Sequence, residues 1–263
     1  MSVNEQTISY PPLTTRLFSV WYRHYRVYTR NLISNGLPPF LEPLIFLAGI
    51  GLGMGKYIGT MEGVPYLAFL ATGLPITAAM FTAAFECSFG AFIRLEFDKV
   101  YDGMLAAPIT VRNLLAGEIL WAGTKGAFFA TAVICIVMLF GLVAPLALLV
   151  APAAGFLTGA MFGGLSLLVT SFVNNINHFN FYFTGFLSPM FFFSGVVFPI
   201  ANLPPFLQPL AEIFPLTHSV RIMRSLTLGN LEWILLADLG FIAVFTAVTG
   251  YLGIERLGKR LIV

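Results

Sequence analysis

Six runs of about twenty residues each, near 37–55, 65–89, 114–140, 146–172, 179–199 and 233–254, carry almost no charge. A helix needs about 20 apolar residues to cross the hydrocarbon of a bilayer. Inside lipid, the backbone must satisfy its own hydrogen bonds, so runs of this length read as helices. The same runs in a soluble core would need a charged surface to cover them. Only 10% of the 263 residues are charged and 58% are hydrophobic, against roughly 25% charged in an ordinary globular domain. The reading is an all-α polytopic membrane protein with six transmembrane helices in one domain. Residues 1–36 form a cytoplasmic tail with an interfacial helix, 37–254 the membrane domain, and 255–263 a second cytoplasmic tail.

Six spans put both ends on one side, and the Lys and Arg distribution chooses the side. Arg16, Arg23, Arg26, Arg30, Arg94, Lys99, Arg112, Arg256, Lys259 and Arg260 fall on one face of the membrane. Lys56, Arg221 and Arg224 fall on the other, with Lys125 inside a span. Ten against three places both termini in the cytoplasm, which for a bacterial chain means the inner membrane. Residues 1–36 are polar or mixed, without the apolar core and cleavage site of a signal peptide, so insertion is expected to use the first span.

The stretch Phe92–Arg112, FIRLEFDKVYDGMLAAPITVR, stands out because it carries six charges between two apolar runs. Ile93, Phe97, Val100 and Met104 recur at helical spacing and predict an apolar stripe. Arg94, Asp98 and Asp102 stand at i, i+4 and i+8 and predict a separate charged face. Gly103 loosens the end of this helix, Pro108 blocks its continuation, and Thr110 suits the N-cap of the next helix. A short amphipathic helix on the cytoplasmic side needs a partner surface. A second amphipathic element, 13–35, has an apolar stripe containing Leu17, Val20 and Trp21, broken by four arginines. It reads as lying in the headgroup layer, in contact with membrane lipid.

Small residues recur in the first run (Gly49, Gly51, Gly53, Gly55) and the fourth (Gly155, Gly159, Gly163). They allow close helix approach, either within the chain or between two copies. The segment Phe198–His218 contains five prolines yet keeps an apolar set of Leu203, Phe206, Leu207, Leu210 and Ile213. It reads as a re-entrant external segment ahead of the last span, because irregular backbone at membrane depth must be buried in protein or line a cavity.

Five ionisable residues fall within the runs: Glu42, Glu86, Glu118, Lys125 and Asp238. Lys125 is roughly 16 Å into its span at 1.5 Å per residue. A charge at that depth needs either a polar cavity or a carboxylate on another helix. Glu42, Glu86, Lys125 and two of the many fifth-run aromatics, Phe183 and Phe192, are the candidate lining of a translocation path. The aromatics also suit plain lipid-facing bulk. Cys87 and Cys135 read as buried apolar side chains, and His24, His178 and His218 sit in separate segments, so no metal site is expected. The chain lacks a phosphate loop, a nucleophile elbow, a zinc motif and any basic stripe for nucleic acid.

Three stretches carry a resemblance: FLEPLIFLAGIGLGMG (Phe40–Gly55), LEFDKVYDGMLAAPIT (Leu95–Thr110), and LSPMFFFSGVVFPIANLP with PLTHSVRIMRSL (Leu187–Pro204 and Pro215–Leu226). Together they make the chain resemble a permease subunit of the type-2 ABC exporters, nearest to the permeases that export nodulation-factor lipo-oligosaccharides. The resemblance implies a non-enzymatic subunit that pairs with a second copy of itself and with two copies of a separate ATPase. ATP and magnesium would be bound by that ATPase, with no cofactor in this chain. It implies a coupling helix over about Arg94–Ala106, where Arg94, Glu96, Phe97, Asp98, Lys99, Tyr101 and Asp102 would meet the ATPase. An amphipathic cargo (a lipo-oligosaccharide, a polysaccharide or a lipophilic drug) would leave by alternating access. The competing readings are a secondary transporter, which would more often show inverted repeats and matched broken helices, and a membrane-embedded enzyme, which would need a polar motif at one depth.

Overall fold

A computed structural model describes residues 10–229 and 232–261, apart from the side chains at 38–40, 42, 51, 52, 54 and 56. The chain is helical almost throughout. Helix α1 (Leu13–Arg30) is followed by α2 (Leu32–Phe46), a π-type stretch (Leu47–Leu52) and α3 (Gly53–Ile58). A two-strand hairpin comes next, β1 (Thr60–Met61) antiparallel to β2 (Val64–Pro65). Its turn residues Glu62 and Gly63 both have positive φ, the geometry that matches strand twist in a two-residue hairpin. Helix α4 starts at Tyr66 and passes through π-type turns at Glu86–Gly90 and Ile93–Phe97, giving one helical run Tyr66–Phe97. Short α5 (Val100–Leu105) leads to the long pair α6 (Val111–Leu139) and α7 (Leu146–Thr170). Then come α8 (Phe179–Tyr182), a π-type stretch, α9 (Ser188–Phe193), α10 (Gln208–Ile213), α11 (Pro215–Leu228) and α12 (Ile234–Leu261).

Among the described residues, four helices are long and apolar enough to cross a bilayer: Tyr66–Phe97, Val111–Leu139, Leu146–Thr170 and Ile234–Leu261. They coincide with the second, third, fourth and sixth runs of the sequence. The fifth run departs from a single span. From Phe179 to Phe193 its helix is about 22 Å long at 1.5 Å per residue, short of the ~30 Å of hydrocarbon, and turns follow it.

The helix α4 is the centre of the molecule, with Phe69, Leu70, Ile76, Met80 and Ala83 fully buried. Around it, α6 and α7 approach so closely that only glycine fits. A Cβ on Gly155 would stand 2.6 Å from the Gly126 carbonyl oxygen, and one on Gly159 would stand 2.6 Å from that of Ala122. The glycines of the fourth run therefore pack within the chain. On the other side of α7, a Cβ on Gly253 of α12 would lie 3.0 Å from the Leu168 amide nitrogen. By contrast, Gly49, Gly53 and Gly55 of the first run face open space. The outward faces of α12 and α7 (Leu236, Val244, Val248, Leu149) are apolar and exposed, as lipid requires.

Helix α1 is docked on α6 more firmly than a headgroup-layer helix needs to be. Val20 is buried against Gly117, where a Cβ would come within 2.5 Å of Val20 Cγ1. Trp21 Nε1 donates to Thr124 Oγ1 (3.0 Å), and Arg16 Nη1 donates to Asn113 Oδ1 (2.7 Å). Asn113 also closes the start of α6. Thr110 accepts from the Asn113 amide while Asn113 accepts from that of Thr110, which answers two of the unpaired donors at a helix start. The opposite side of α1 keeps Phe18, Tyr22, Tyr25 and Val27 exposed.

The single amphipathic helix expected over Phe92–Met104 does not form. Two π-type turns widen the winding before Asp98, and Lys99 takes the left-handed conformation (φ 51°), separating α5 from α4. A 3.6-residue period no longer sorts the faces across such a break. Arg94 and Tyr101 turn inward, while Phe97 (62% exposed), part of the expected inner stripe, turns out.

Beyond α9, the proline-rich segment is tied down by polar contacts. Arg224 donates to Thr72 Oγ1 (3.1 Å), to the Gly195 carbonyl (2.8 Å) and to that of Phe69 (3.3 Å). Its guanidinium lies 3.6 Å from the Phe69 ring centre. His218 sits between Asp238 Oδ1 (2.6 Å) on α12 and the Glu212 carbonyl (3.0 Å), and Arg221 pairs with Glu212. The expected apolar set divides: Leu203 is buried, whereas Phe206, Leu210 and Ile213 are exposed.

Candidate functional site: a buried ionic network beside a cavity

Five ionisable side chains from three helices meet between α1, α4 and α6. Arg94 Nη1 donates to Glu86 Oε1 and its Nη2 to Glu118 Oε2, both at 2.7 Å. Lys125 Nζ donates to the other Glu86 oxygen, also at 2.7 Å. His24 Nε2 stands 3.0 Å from the other Glu118 oxygen. Three of the four carboxylate oxygens accept a hydrogen bond from a cation, as charges withdrawn from water require, whereas Glu118 Oε1 and the nearby His24 Nε2 make none. The π-type turn at Glu86–Gly90 rotates the end of α4 so that Glu86 and Arg94, eight residues apart, share one side. Arg94 Nη2 also donates to the Glu86 carbonyl (3.0 Å), one that the wider turn leaves accessible. His24 is held flat against Trp121, their ring centres 5.9 Å apart.

His24, Glu86 and Glu118 offer atoms of metal-ligand type within 4.8 Å of one another. Both carboxylates are already occupied by Arg94 and Lys125, and a divalent ion would have to displace those cations. The Tyr101 hydroxyl lies 3.4 Å from Arg94 Nε. Burial, and then the Glu118 carboxylate, push this phenol well above its ordinary pKa, so Tyr101 stays neutral beside Arg94.

Next to the network is a cavity of about 670 Å³ between α2, α4, α6 and α9. Phe46, Phe81, Phe85, Phe191 and Phe192 give it an aromatic wall, with Ser34, Asn35, Thr77, Thr82 and Ser188 as polar points. Lys125 is the one ionisable side chain among its described lining residues, so this cation touches the network and the cavity at once.

The candidate path residues therefore separate. Lys125 and Phe192 line the cavity, and Glu86 stands behind Lys125. Phe183 is not a lining residue but packs behind one, Phe85, and on Phe89 (ring centres 4.3 and 5.5 Å). The side chain of Glu42 lies outside the described residues. The candidate coupling residues also separate. Phe97, Asp98, Lys99 and Asp102 are exposed, Arg94 and Tyr101 are buried in the network, and Glu96 accepts from Arg260 Nη2 (2.7 Å) at the end of α12. Arg260 also donates to the Val173 carbonyl, which ties α12, the end of α7 and the Ile93–Phe97 turn together.

Sequence reasoning missed His24, whose role depends on α1 docking against α6, and the His218, Arg221 and Arg224 cluster. The latter left a signal: three cationic or ionisable residues at a spacing of three on one helix.

The comparisons agree with this architecture. A profile of the ABC-2 type transporter family matches residues 15–228. Nodulation protein J of Sinorhizobium fredii (strain NBRC 101917 / NGR234) is 32% identical over 244 residues, covering 93% of each chain. Its counterpart from Rhizobium leguminosarum bv. trifolii is 33% identical over 244 residues with the same coverage. The inner membrane transport permease YadH of Escherichia coli (strain K12) is 24% identical over 229 residues, 87% of this chain and 89% of that one. The chain belongs to the ABC-2 type transporter family, as the membrane-spanning permease subunit of an ABC exporter whose ATPase is a partner.

Proposed function

We propose that this permease moves an amphipathic substrate outward through the aromatic cavity, driven by an ATPase that docks on the exposed part of the coupling segment. The observation that carries the reading is that one buried network links the two places. Lys125 opens onto the cavity, and Arg94, two helical turns along α4 from Glu86, precedes the exposed Phe97, Asp98 and Asp102. Movement of the coupling segment by the ATPase would pull on Arg94 and, through Glu86, on the cavity wall.

In this reading the chain has six spans. The first runs through α2 and α3, and the fifth is completed by the turns after α9. Two copies of the chain and two of the ATPase make the transporter, and α1 rests in the lipid headgroups. The charge asymmetry supports cytoplasmic termini in a bacterial inner membrane, in keeping with the name of the YadH relative. The nodulation protein relatives favour a lipo-oligosaccharide as cargo, with polysaccharides and lipophilic drugs as the other classes. ATP and magnesium would sit on the partner alone.

The test is reconstitution of the chain with its ATPase in vesicles containing a fluorescent acylated oligosaccharide. ATP-dependent movement of the probe across the bilayer is expected. Movement driven by a proton gradient without ATP would sink the proposal in favour of a secondary transporter.

A further inference from the structure

Helix α12 is fastened at both ends by charged side chains, and the two fastenings hold different parts of the chain. At one end, Arg260 donates to Glu96 Oε1 (2.7 Å) and to the Val173 carbonyl. Val173 lies in the turn beyond α7 and is buried in a small apolar cluster with Phe92 and Phe179. Arg260 therefore grips the coupling segment together with the turn packed against it. At the other end, Asp238 Oδ1 meets His218 Nδ1 (2.6 Å) and accepts from Arg221 Nη1 (3.4 Å). Phe241 of α12 stacks on the His218 ring, the centres 3.8 Å apart. Arg221 holds Glu212 of α10 in turn, and the Thr217 hydroxyl donates to the Ala211 carbonyl. So α12 holds α11, and α11 holds the proline-rich segment.

Between these ends α12 touches α7 backbone to backbone. A Cβ on Gly164 would stand 3.0 Å from the Gly250 amide nitrogen, and one on Gly253 would stand 3.1 Å from the Gly164 carbonyl oxygen. At 1.5 Å per residue, Gly250 is about 18 Å along the helix from Asp238 and about 15 Å from Arg260. Glycines present no side chain to interlock, so a helix can tilt about such a contact, as packed helices do in shear motions. The opposite face, with Leu239, Val244, Val248 and Tyr251, is exposed and apolar, and lipid there would yield. The clamps themselves resist slipping. Asp238 is 1% exposed, and a carboxylate pulled from its partners at that depth would be left uncompensated.

We propose that Arg260 and Asp238 are positioning residues for transport, and that α12 is a lever carrying displacement of the coupling segment to the proline-rich segment at its other end. The inference rests on reading the coupling segment as the docking place of the ATPase. It adds a second route from that place. Arg94 leads to the cavity, and α12 leads to the segment that covers the exit in the proposed topology.

The test uses the complete permease–ATPase complex in phosphatidylcholine nanodiscs, with the exposed Cys135 replaced (Cys135→Ser). Phe206, 77% exposed in the proline-rich segment, becomes the labelling position (Phe206→Cys). Its rate of reaction with a maleimide is compared with and without ATP plus vanadate. ATP is expected to raise the rate several-fold in this background. Arg260→Met removes the rise while ATP turnover continues, because the exposed docking residues are untouched. Asp238→Asn removes it from the other end. Glu96→Arg alone also removes the rise, and adding Arg260→Glu recovers part of it, a rescue that loss of packing alone would not produce. Where Arg260→Met does not fold, as judged by thermal melting, the charge-reversal pair carries the test. A rise that survives in both Arg260→Met and Asp238→Asn overturns the proposal, as does a reversed pair no better than Glu96→Arg alone. ATP-driven export without any rise in the starting background removes the lever and leaves the docking reading standing. Export that stays coupled after Asp98→Lys with Asp102→Lys removes the docking reading instead.

Discussion

Arg94 is the hub of the network between α1, α4 and α6, because it bridges carboxylates from two helices, Glu86 and Glu118, at 2.7 Å each. Removing one partner of a buried ion pair typically costs about 3–5 kcal/mol, since the other charge is left without compensation. Arg94→Met should therefore lower the thermal stability of the detergent-solubilised subunit sharply, whereas Lys125→Met, which leaves Glu86 still paired, should lower it much less. A melting curve by tryptophan fluorescence compares the two, and equal losses would contradict this division of roles. Arg94 also shows what a helical wheel misses. Its i, i+4, i+8 relation to Asp98 and Asp102 is plain in the sequence. The direction in which it points was set by π-type turns and by Lys99 at positive φ, and neither leaves a periodic signature.

At the scale of elements, close backbone approach decides which helices touch. The α6–α7 pair closes where Gly126 meets Gly155 and Gly159, and α1 is seated by one glycine, Gly117, beneath Val20. Gly117→Leu should force α1 off α6 and part His24 from Glu118 while leaving α6 and α7 together. Limited proteolysis would then cut between α1 and α2 faster than in the wild type, and an unchanged digestion pattern would show that α1 is not held there. Gly126→Val should do broader damage, because its side chain would meet the backbone at Gly155 and Gly159 rather than a movable side chain. A marked fall in folded yield from membranes is expected. The fourth-run glycines were readable as a close-approach motif, but their partner was not. Spacing identifies a smooth surface on a helix, and only the packed chain shows what lies against it.

For the whole molecule, the surface left to an ATPase is smaller than the charged stretch suggests. Glu96 is tied to Arg260, and Arg94 and Tyr101 face inward, leaving Phe97, Asp98, Lys99 and Asp102 available. Reversing two of these charges, Asp98→Lys with Asp102→Lys, should uncouple ATP hydrolysis from export without unfolding the subunit, because neither residue makes a buried contact. ATP turnover per exported molecule should rise several-fold, and unchanged coupling with normal folding would move the contact elsewhere. The long apolar runs, the ten-to-three charge asymmetry and the Thr110 cap were all decided by local sequence. Each depends on the composition or spacing of neighbouring residues and on the thickness of a bilayer. The pairing of Lys125 with Glu86, the placing of His24 beside Glu118, the aromatic cavity and the His218–Asp238 contact were decided by tertiary structure. The paired residues lie 20 to 94 apart in the chain, and the energy that selects each pair, the cost of leaving a charge alone in a dry interior, exists only once the helices have closed around it.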